Sequence, residues 1–302
     1  MSRGSLARLA LLALLWGSGF LWIKLALRGF PPVQIVLIRL ALGVLVLAPI
    51  ALARGLRFPT DRRIWGHLFV AAFVANALPY TLFGIGEKTV GSNVAGVINA
   101  TTPLWTVLIA FLAGTDRNVN AWKGAGIAVG FAGTVLIFTP WESAGEIASW
   151  GGLACLAASA SYGISYVYMG KFLTGRGIAP IMLSASQLAA GSVLMVLALP
   201  LGGLVAPTWR WDAVGALLIL GALGTGVAYV LNYRLIEDLG PTVASVTTYL
   251  LPVVAVILGF LVVHERVTWP MIAGTVLVLA GVALVKRQVP QPTEPEPAES
   301  RR

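Results

Sequence analysis

The chain has 302 residues, of which 58% are hydrophobic and only 11% are charged. Soluble domains carry roughly 25% charged residues, so this composition excludes an ordinary soluble fold. The formal net charge is +9, with 21 Lys and Arg against 12 Asp and Glu, and the positions of these charges decide whether they indicate nucleic acid or membrane orientation.

Apolar blocks of about 20 residues follow one another along the chain, each long enough for a helix to cross roughly 30 Å of hydrocarbon. They are continuous runs of Leu, Val, Ala and Gly, which excludes the alternating pattern of a membrane β-barrel. The first block is too long for a cleavable signal peptide. The sequence therefore predicts an all-α polytopic membrane protein with ten transmembrane helices, near 6–27, 33–53, 64–86, 91–113, 121–139, 149–170, 179–200, 212–235, 241–263 and 268–285.

The positive charges are distributed unevenly between the two sides of the predicted spans. Fifteen of the 21 Lys and Arg lie in segments on the side of both termini, four lie on the other side, and Lys24 and Arg39 lie within spans. The positive-inside rule then predicts a multi-pass protein of the inner (plasma) membrane with both termini in the cytoplasm. The basicity is an orientation signal, and no nucleic acid partner is expected.

The chain contains two copies of one five-span unit. A shift of 149 positions aligns residues 79–117 with 228–266 without a gap, and pairs Tyr80 with Tyr229 and Pro103 with Pro252. Because five is odd, the second copy enters the membrane from the opposite side, so the repeats are inverted. The predicted organisation is a first repeat at 1–145, an inverted second repeat at 146–288 and a disordered cytoplasmic tail at 289–302, rich in Pro and Glu.

Inverted repeats are typical of secondary transporters, because two halves related by an axis in the membrane plane can interchange outward-open and inward-open shapes. Duplication without mechanistic use is the alternative. Gly126 and Gly130 form a GxxxG step on the fifth span, which favours close helix packing.

Three segments resemble one family. These are ALLWGSGFLWIKLAL at 13–27, PPVQIVLIRLALG with Arg39 at 31–43, and HERVTWPMIAGTVLVLAGVALV at 264–285. In order and spacing they are similar to the EamA family of the drug/metabolite transporter (DMT) superfamily, and within it to amino-acid exporters of the YddG type. The resemblance covers nearly the whole chain except the tail. It implies ten helices in two inverted halves and export of amino acids.

Prolines within three spans mark predicted helix breaks at Pro79, Pro103 and Pro252. A proline has no N–H for the carbonyl four residues earlier, so Pro103 frees the carbonyl of Asn99 and Pro252 frees that of Thr248. Both positions lie near mid-membrane, where unwound backbone is tolerated if it lines a cavity or is buried in protein. The alternative is that the prolines only kink their helices and the hydroxyls bond locally.

Polar and aromatic side chains in the middle of the spans are the candidates for a substrate cavity between the repeats. They suit a small, partly apolar, zwitterionic or neutral solute. The candidates are Trp16, Asn76, Tyr80, Asn99, Thr102, Trp105, Ser161, Tyr162, Ser165, Tyr229, Asn232, Thr248 and Tyr249.

Lys24 and Arg39 are possible charge sites in the outer half of their spans. Each would either attract a substrate carboxylate or extend its charge to the outer interface. Gln187, the repeat counterpart of Arg39, is neutral, so the two positions are not chemically symmetric.

Acidic residues are predicted only in loops, near span ends and in the tail. Carriers coupled to protons or sodium usually keep an acid at mid-membrane, so facilitated diffusion is expected, with coupling through a site that the sequence does not reveal as the alternative. No GxxxxGK[ST] loop occurs, and His67, His264 and Cys155 do not form a metal motif, so neither ATP, a metal nor a cofactor is expected.

The function predicted from these observations is a secondary transporter that exports amino acids, aromatic ones among them, and related metabolites by alternating access. Its partners are a small-molecule substrate and the lipid bilayer, and the oligomeric state stays open. Two alternatives remain at this point: an exporter of cationic drugs, which would favour a buried carboxylate, and a membrane-embedded enzyme acting on lipids, which would need an interfacial His, Asp or Glu cluster.

Overall fold

A computed structural model describes residues 3–86, 89–90, 92–115, 121–139, 141, 145, 148–258 and 268–287. These residues form helices and the turns between them, with no strand in the described ranges. Six of the described helices are long and apolar enough to cross a membrane, and three further described apolar helices are shorter. The described helices group into ten, α1 to α10, which confirms the predicted polytopic all-α fold.

The first five helices belong to the first repeat, and three of them contain an irregular stretch. Their bounds are α1 at Arg3–Gly17 and Gly19–Ala26, α2 at Pro32–Ala53, α3 at Arg62–Ala72 continued by a π-helix at Phe73–Ala77 and by Leu78–Gly86, α4 at Ser92–Asn99 and Thr102–Leu112, and α5 at Ala121–Phe138.

The second five helices repeat this pattern in α8 and α9. Their bounds are α6 at Trp150–Phe172, α7 at Pro180–Ala198 with a 3₁₀ turn at Leu199–Leu201, α8 at Trp211–Gly221 continued by a π-helix at Ala222–Val227 and by Ala228–Leu239, α9 at Pro241–Ser245 and Thr247–Leu258, and α10 at Trp269–Arg287. The tail at 289–302 lies outside the described residues.

The contacts between helices of different repeats occur in equivalent pairs. Helix α1 packs against α8 and α9 of the second repeat, and α6 packs against α3 and α4 of the first. Helix α2 packs against α7, and α5 against α10. Each of these contacts has a counterpart in which the two copies have changed places, as expected for inverted halves around a twofold pseudo-axis.

The α5–α10 contact shows this symmetry at the level of single atoms. A Cβ atom on Gly281 would lie 2.5 Å from the carbonyl oxygen of Gly126, and one on Gly274 would lie 2.5 Å from that of Gly133. In the repeat, Gly126 corresponds to Gly274 and Gly133 to Gly281. Exchanging the two repeats therefore converts the contact of Gly126 with Gly281 into the contact of Gly274 with Gly133. Two antiparallel helices that cross at a twofold axis must show such a pair of equivalent contacts.

Both repeats interrupt their fourth helix, but at different positions. In α4 the interruption is at Ala100 and Thr101, directly before Pro103. In α9 it is at Val246, where i→i−3 hydrogen bonds replace the α-helical pattern. Pro252 lies within the continuous helix Thr247–Leu258, so the predicted break in this repeat is displaced by six residues toward the N-terminus. Membrane helices tolerate an internal proline where neighbouring groups compensate for the lost hydrogen bond.

The described carboxylates lie at helix ends. Asp61 precedes α3 and accepts a hydrogen bond from the backbone of Arg63, and Asp212 lies in the first turn of α8. Glu237 and Asp238 lie in the last turn of the same helix. The remaining acids lie outside the described residues: Glu87, Asp116, Glu142, Glu146, Glu265, Glu294, Glu296 and Glu299.

Candidate binding cavity

A cavity of about 450 Å³ lies between the two repeats. Its walls come from α1, α2, α3 and α4 of the first repeat and from α6, α8 and α9 of the second. The predicted residues that line it are Trp16, Arg39, Tyr80, Asn99, Thr102, Tyr162, Ser165, Tyr229, Asn232 and Thr248. Pockets that hold small molecules are commonly 300–1,000 Å³, so this cavity is large enough for a metabolite.

Arg39 carries the formal charge in the described wall of the cavity. Its side chain is only 6% exposed, and its Nε donates a hydrogen bond of 2.9 Å to Oγ1 of Thr225 on α8. The guanidinium carbon lies 4.3 Å from the centroid of the Tyr80 ring, within the range of a cation–π interaction. Arg39 therefore points into the protein and does not extend to the outer interface.

The repeat counterpart of this contact is neutral. Nε2 of Gln187, on α7, donates a hydrogen bond of 3.0 Å to Oδ1 of Asn76 on α3. Gln187 corresponds to Arg39, and Asn76 corresponds to Thr225 under the 149-residue shift. Both copies thus join the same two helices through the same two positions, but only the copy with Arg39 places a charge at the cavity.

Each of these contacts meets a π-helix. The π-helices at Phe73–Ala77 and Ala222–Val227 begin at positions that correspond in the repeat, and they hold Asn76 and Thr225 respectively. Such π-helices occur frequently at functional sites. Sequence periodicity predicts a regular helix in both places, so this feature was missed.

Side chains replace the backbone donors that the first π-helix lacks. The N–H of Leu78 bonds the carbonyl of Phe73, five residues earlier, so the next carbonyl, that of Val74, would pair with Pro79, which has no N–H. The hydroxyl of Ser161 donates to this carbonyl instead, at 2.7 Å. Pro79 therefore does not end the helix: its missing bond is supplied by α6 of the other repeat.

Aromatic rings form a large part of the wall. Trp16 meets Tyr229 edge to face, with ring centroids 6.4 Å apart, and Tyr80 meets Tyr162 in the same way at 6.3 Å. Phe83 stacks on Tyr162 at 6.1 Å. These pairs join α1 to α8 and α3 to α6, so they close the cavity across the boundary between repeats.

Several hydroxyls in the wall donate to their own helices. Oγ1 of Thr102 donates at 2.7 Å to the carbonyl of Asn99, the group that Pro103 leaves without an N–H partner. Ser165 and Thr248 likewise donate to carbonyls three residues earlier. A hydroxyl has one hydrogen to give and keeps two lone pairs, so these oxygens can serve a ligand as hydrogen-bond acceptors.

Asn232 differs from these residues because its amide is not satisfied. It lies on α8, is 4% exposed and lines the cavity. Its Oδ1 is buried without a hydrogen-bond partner among the described residues. Buried polar groups are normally paired, so this amide has hydrogen-bonding capacity left for a ligand.

Four predicted cavity residues lie behind the wall. Trp105 packs against α6, since a Cβ atom added to Gly163 would lie 2.6 Å from the Cβ of Trp105. Tyr249 packs against Gly130 of α5. Ser161 bonds the π-helix of α3. Asn76 accepts from Gln187 and donates to the hydroxyl of Tyr229, which in turn donates at 3.1 Å to the carbonyl of Ala75. Their polar or aromatic character serves packing between helices.

Three further residues remain. Lys24 lies in α1, but its side chain is outside what the structure describes. Phe83 lines the cavity although it was not selected, and Tyr166, on the hydroxyl-rich face of α6, lines it as well. Helical spacing contained the signal, because Phe83 follows Tyr80 by three residues and Tyr166 follows Tyr162 by four.

Among the described residues there is no group of three or more His, Cys, Asp or Glu side chains arranged to hold a metal ion. The cavity wall as described contains no carboxylate and no imidazole. Its chemistry is thus that of one cation, several aromatic rings and neutral hydrogen-bonding groups.

Comparison with known proteins agrees with this architecture. The model of the EamA-like transporter family matches residues 5–139 and 149–287. An uncharacterized inner membrane transporter, YedA, of Escherichia coli K12 is 30% identical over 251 residues, covering 82% of this chain and 79% of its own. An uncharacterized transporter, YoaV, of Bacillus subtilis is 25% identical over 271 residues, covering 89% and 92%.

An uncharacterized transporter of Archaeoglobus fulgidus is 27% identical, with 93% of this chain and 98% of its own covered. A crystal structure with 20% sequence identity superposes with a TM-score of 0.78 and covers 96% of this chain and 99% of the other. That likeness concerns the fold alone.

Proposed function

Because this chain belongs to the EamA-like transporter family, a group of membrane transporters, we propose that it exports amino acids and related small metabolites. Aromatic amino acids are among the proposed substrates. Export proceeds across the inner membrane by alternating access, in which the central cavity opens first to one side and then to the other.

The observation that carries the proposal is the buried Arg39 at the cavity wall. A charge in the low-dielectric part of a membrane protein is costly, and such residues usually mark a substrate path. The guanidinium has a planar fork of N–H donors that fits a carboxylate in a bidentate manner. Its Nε is already bonded to Thr225, so the terminal nitrogens are left for a ligand.

The neutral part of the cavity wall can bind the ammonium group of a zwitterion. The hydroxyl oxygens of Thr102, Ser165 and Thr248 have used their hydrogens on backbone carbonyls and keep acceptor lone pairs. An ammonium group has three donors and no acceptor, so it pairs with such oxygens. The rings of Trp16 and Tyr229 offer apolar surface to a large side chain.

The same wall disfavours an exporter of cationic drugs. A permanently cationic compound would meet Arg39, and the described wall offers no carboxylate to compensate. Like charges held close together in a low dielectric repel strongly, so the amino-acid hypothesis is the better supported of the two.

The test is transport in proteoliposomes that contain only this protein. A panel of labelled amino acids should be taken up above empty vesicles, and each should be preferred over its carboxamide, which lacks the negative charge. Arg39→Gln places in the first repeat the residue that Gln187 supplies in the second, so it retains a donor for Thr225. This variant should fold, and it should lose affinity for the acid by roughly ten- to a hundredfold.

The amide of the same amino acid is the internal control, because it should bind Arg39→Gln no less well than the wild type. An equal loss of affinity for the acid and for the amide would show that Arg39 does not bind the substrate carboxylate. Absence of transport over the whole panel would contradict the proposed function itself.

Direction and coupling are tested separately. In intact cells, expression should lower the internal concentration of a transported amino acid and raise its concentration in the medium. Facilitated transport predicts that steady-state accumulation in vesicles follows the substrate gradient, so a marked dependence on an imposed proton gradient would contradict it.

A further inference from the structure

One face of α8 holds three groups of different chemistry, of which Tyr229 and Asn232 line the cavity. Thr225 holds the guanidinium of Arg39, Tyr229 follows four residues later, and Asn232 follows after three more. Intervals of four and seven residues return to the same face of a helix. Seven residues at no more than about 1.5 Å each separate the anchor of the cation from the amide by up to about 10 Å along the axis.

The amide at the far end is the group that lacks a partner. Oδ1 of Asn232 is buried and unbonded in the described part of the chain, whereas the amide of Asn76 is bonded at both ends, to Gln187 and to Tyr229. Asn76 shows how this fold satisfies an asparagine that serves structure. Asn232, which lines the cavity, has an Oδ1 without a hydrogen-bond partner among the described residues.

The spacing determines which ligand can use both ends. The carboxylate and ammonium of an amino acid are attached to the same carbon, so they cannot together reach groups about 10 Å apart along a helix. A second polar group at the far end of the side chain can. The aromatic layer between the two ends, formed by Tyr229 and by Trp16 at 6.4 Å from it, fits a ring in that position.

We propose that Asn232 is a specificity-determining residue, which selects aromatic acids that carry a hydroxyl or N–H at the end of the ring remote from the carboxylate. The inference rests on the proposed function, because it assigns the substrate carboxylate to Arg39. A phenol both donates and accepts, so it pairs with Asn232 whichever end of the amide faces the cavity. Tyrosine and phenylalanine, which differ by one hydroxyl, are therefore the decisive pair.

The experiment measures the affinities of L-tyrosine and L-phenylalanine for the protein in proteoliposomes, by competition against one labelled substrate. The wild type should bind tyrosine about tenfold more tightly, the effect of one additional hydrogen bond to a buried amide. Asn232→Leu should lower the affinity for tyrosine to that for phenylalanine and leave phenylalanine unchanged.

Thr247→Val is the matched control. Its hydroxyl is also buried without a partner among the described residues, but Thr247 does not line the cavity. The tenfold preference should therefore persist in this variant. A loss of preference in Thr247→Val equal to that in Asn232→Leu would mean that both changes act through stability, and it would overturn the assignment.

The two proposals fail in different ways. Equal affinity of the wild type for tyrosine and phenylalanine overturns the role of Asn232 and leaves amino-acid transport in place. Transport of neither, nor of any other amino acid, contradicts the proposed function. If Asn232→Leu does not fold, the wild-type ratio of the two affinities still decides.

Discussion

Gly281→Ala is expected to destabilise the protein by separating α5 from α10. The new methyl carbon would lie 2.5 Å from the carbonyl oxygen of Gly126 and from the backbone nitrogen of Gly130, whereas ordinary contacts begin at 3.4 Å. Both obstacles are backbone atoms, so the helices must move apart, and a gap of 0.5–1 Å loses a quarter to a half of the dispersion energy of each contact that it opens. Overpacking of this kind costs about 1–3 kcal/mol.

The assay is thermal unfolding of the purified protein in detergent at one fixed scan rate, since an irreversible transition depends on that rate. At roughly 2–4 °C per kcal/mol, Tm should fall by several degrees. Gly124→Ala, on the partner helix α5, is the control, because nothing lies within 4 Å of a Cβ at that position, and it should leave Tm unchanged or raise it. Equal Tm values for the two variants would refute the close α5–α10 contact.

Two further predictions distinguish a residue that affects substrate binding from a residue that only stabilises the fold. Thr225→Val removes the acceptor of the Arg39 Nε, so the affinity for a carboxylate substrate should fall about tenfold in the vesicle assay; an unchanged affinity would show that this bond does not orient the guanidinium. Ser161→Ala leaves a buried carbonyl of α3 without its hydroxyl donor, and should cost about 1–3 kcal/mol of stability in the unfolding assay. Its transport per folded molecule should equal that of the wild type, and a transport defect at normal Tm would contradict a purely structural role.

The order of the helices and their duplication could be predicted from the sequence because both depend on features that a linear chain displays. Length and apolarity define a span, and an alignment of the chain with itself defines the repeat. The α5–α10 contact was foreseen in part for the same reason, since Gly126 and Gly130 form a visible GxxxG step.

The π-helices could not be foreseen, because they depend on partners from other helices. The carbonyl of Val74 is free of an N–H donor only in the i→i−5 pattern, and Ser161 satisfies it from 87 positions away in sequence. Local spacing places Ser161 and Ser165 on one face of α6, yet only Ser165 lines the cavity. One helical turn is about 5 Å, enough to carry a residue beyond the end of a small cavity.

The role of Arg39 also could not be predicted from the sequence alone. Its position in a span marked it as unusual, and either a substrate role or extension to the interface was open. The contacts with Thr225 and Tyr80 show that the side chain does not extend to the interface, and neither contact is visible without the packing of α2 against α8 and α3. The repeat alignment did indicate that these two contacts are related, because residues 39 and 76 of the first repeat correspond to residues 187 and 225 of the second.

The unequal pair formed by Arg39 and Gln187 has a consequence for how such a protein can be encoded. Two identical five-helix chains assembled in opposite orientations would carry either two of these arginines or none, since every substitution would appear on both sides of the axis. A chain that contains both copies can change one alone. The single formal charge in the described wall of the cavity therefore depends on the covalent fusion of the two halves. Under the proposed function, the direction in which a bound amino acid lies follows from that loss of symmetry.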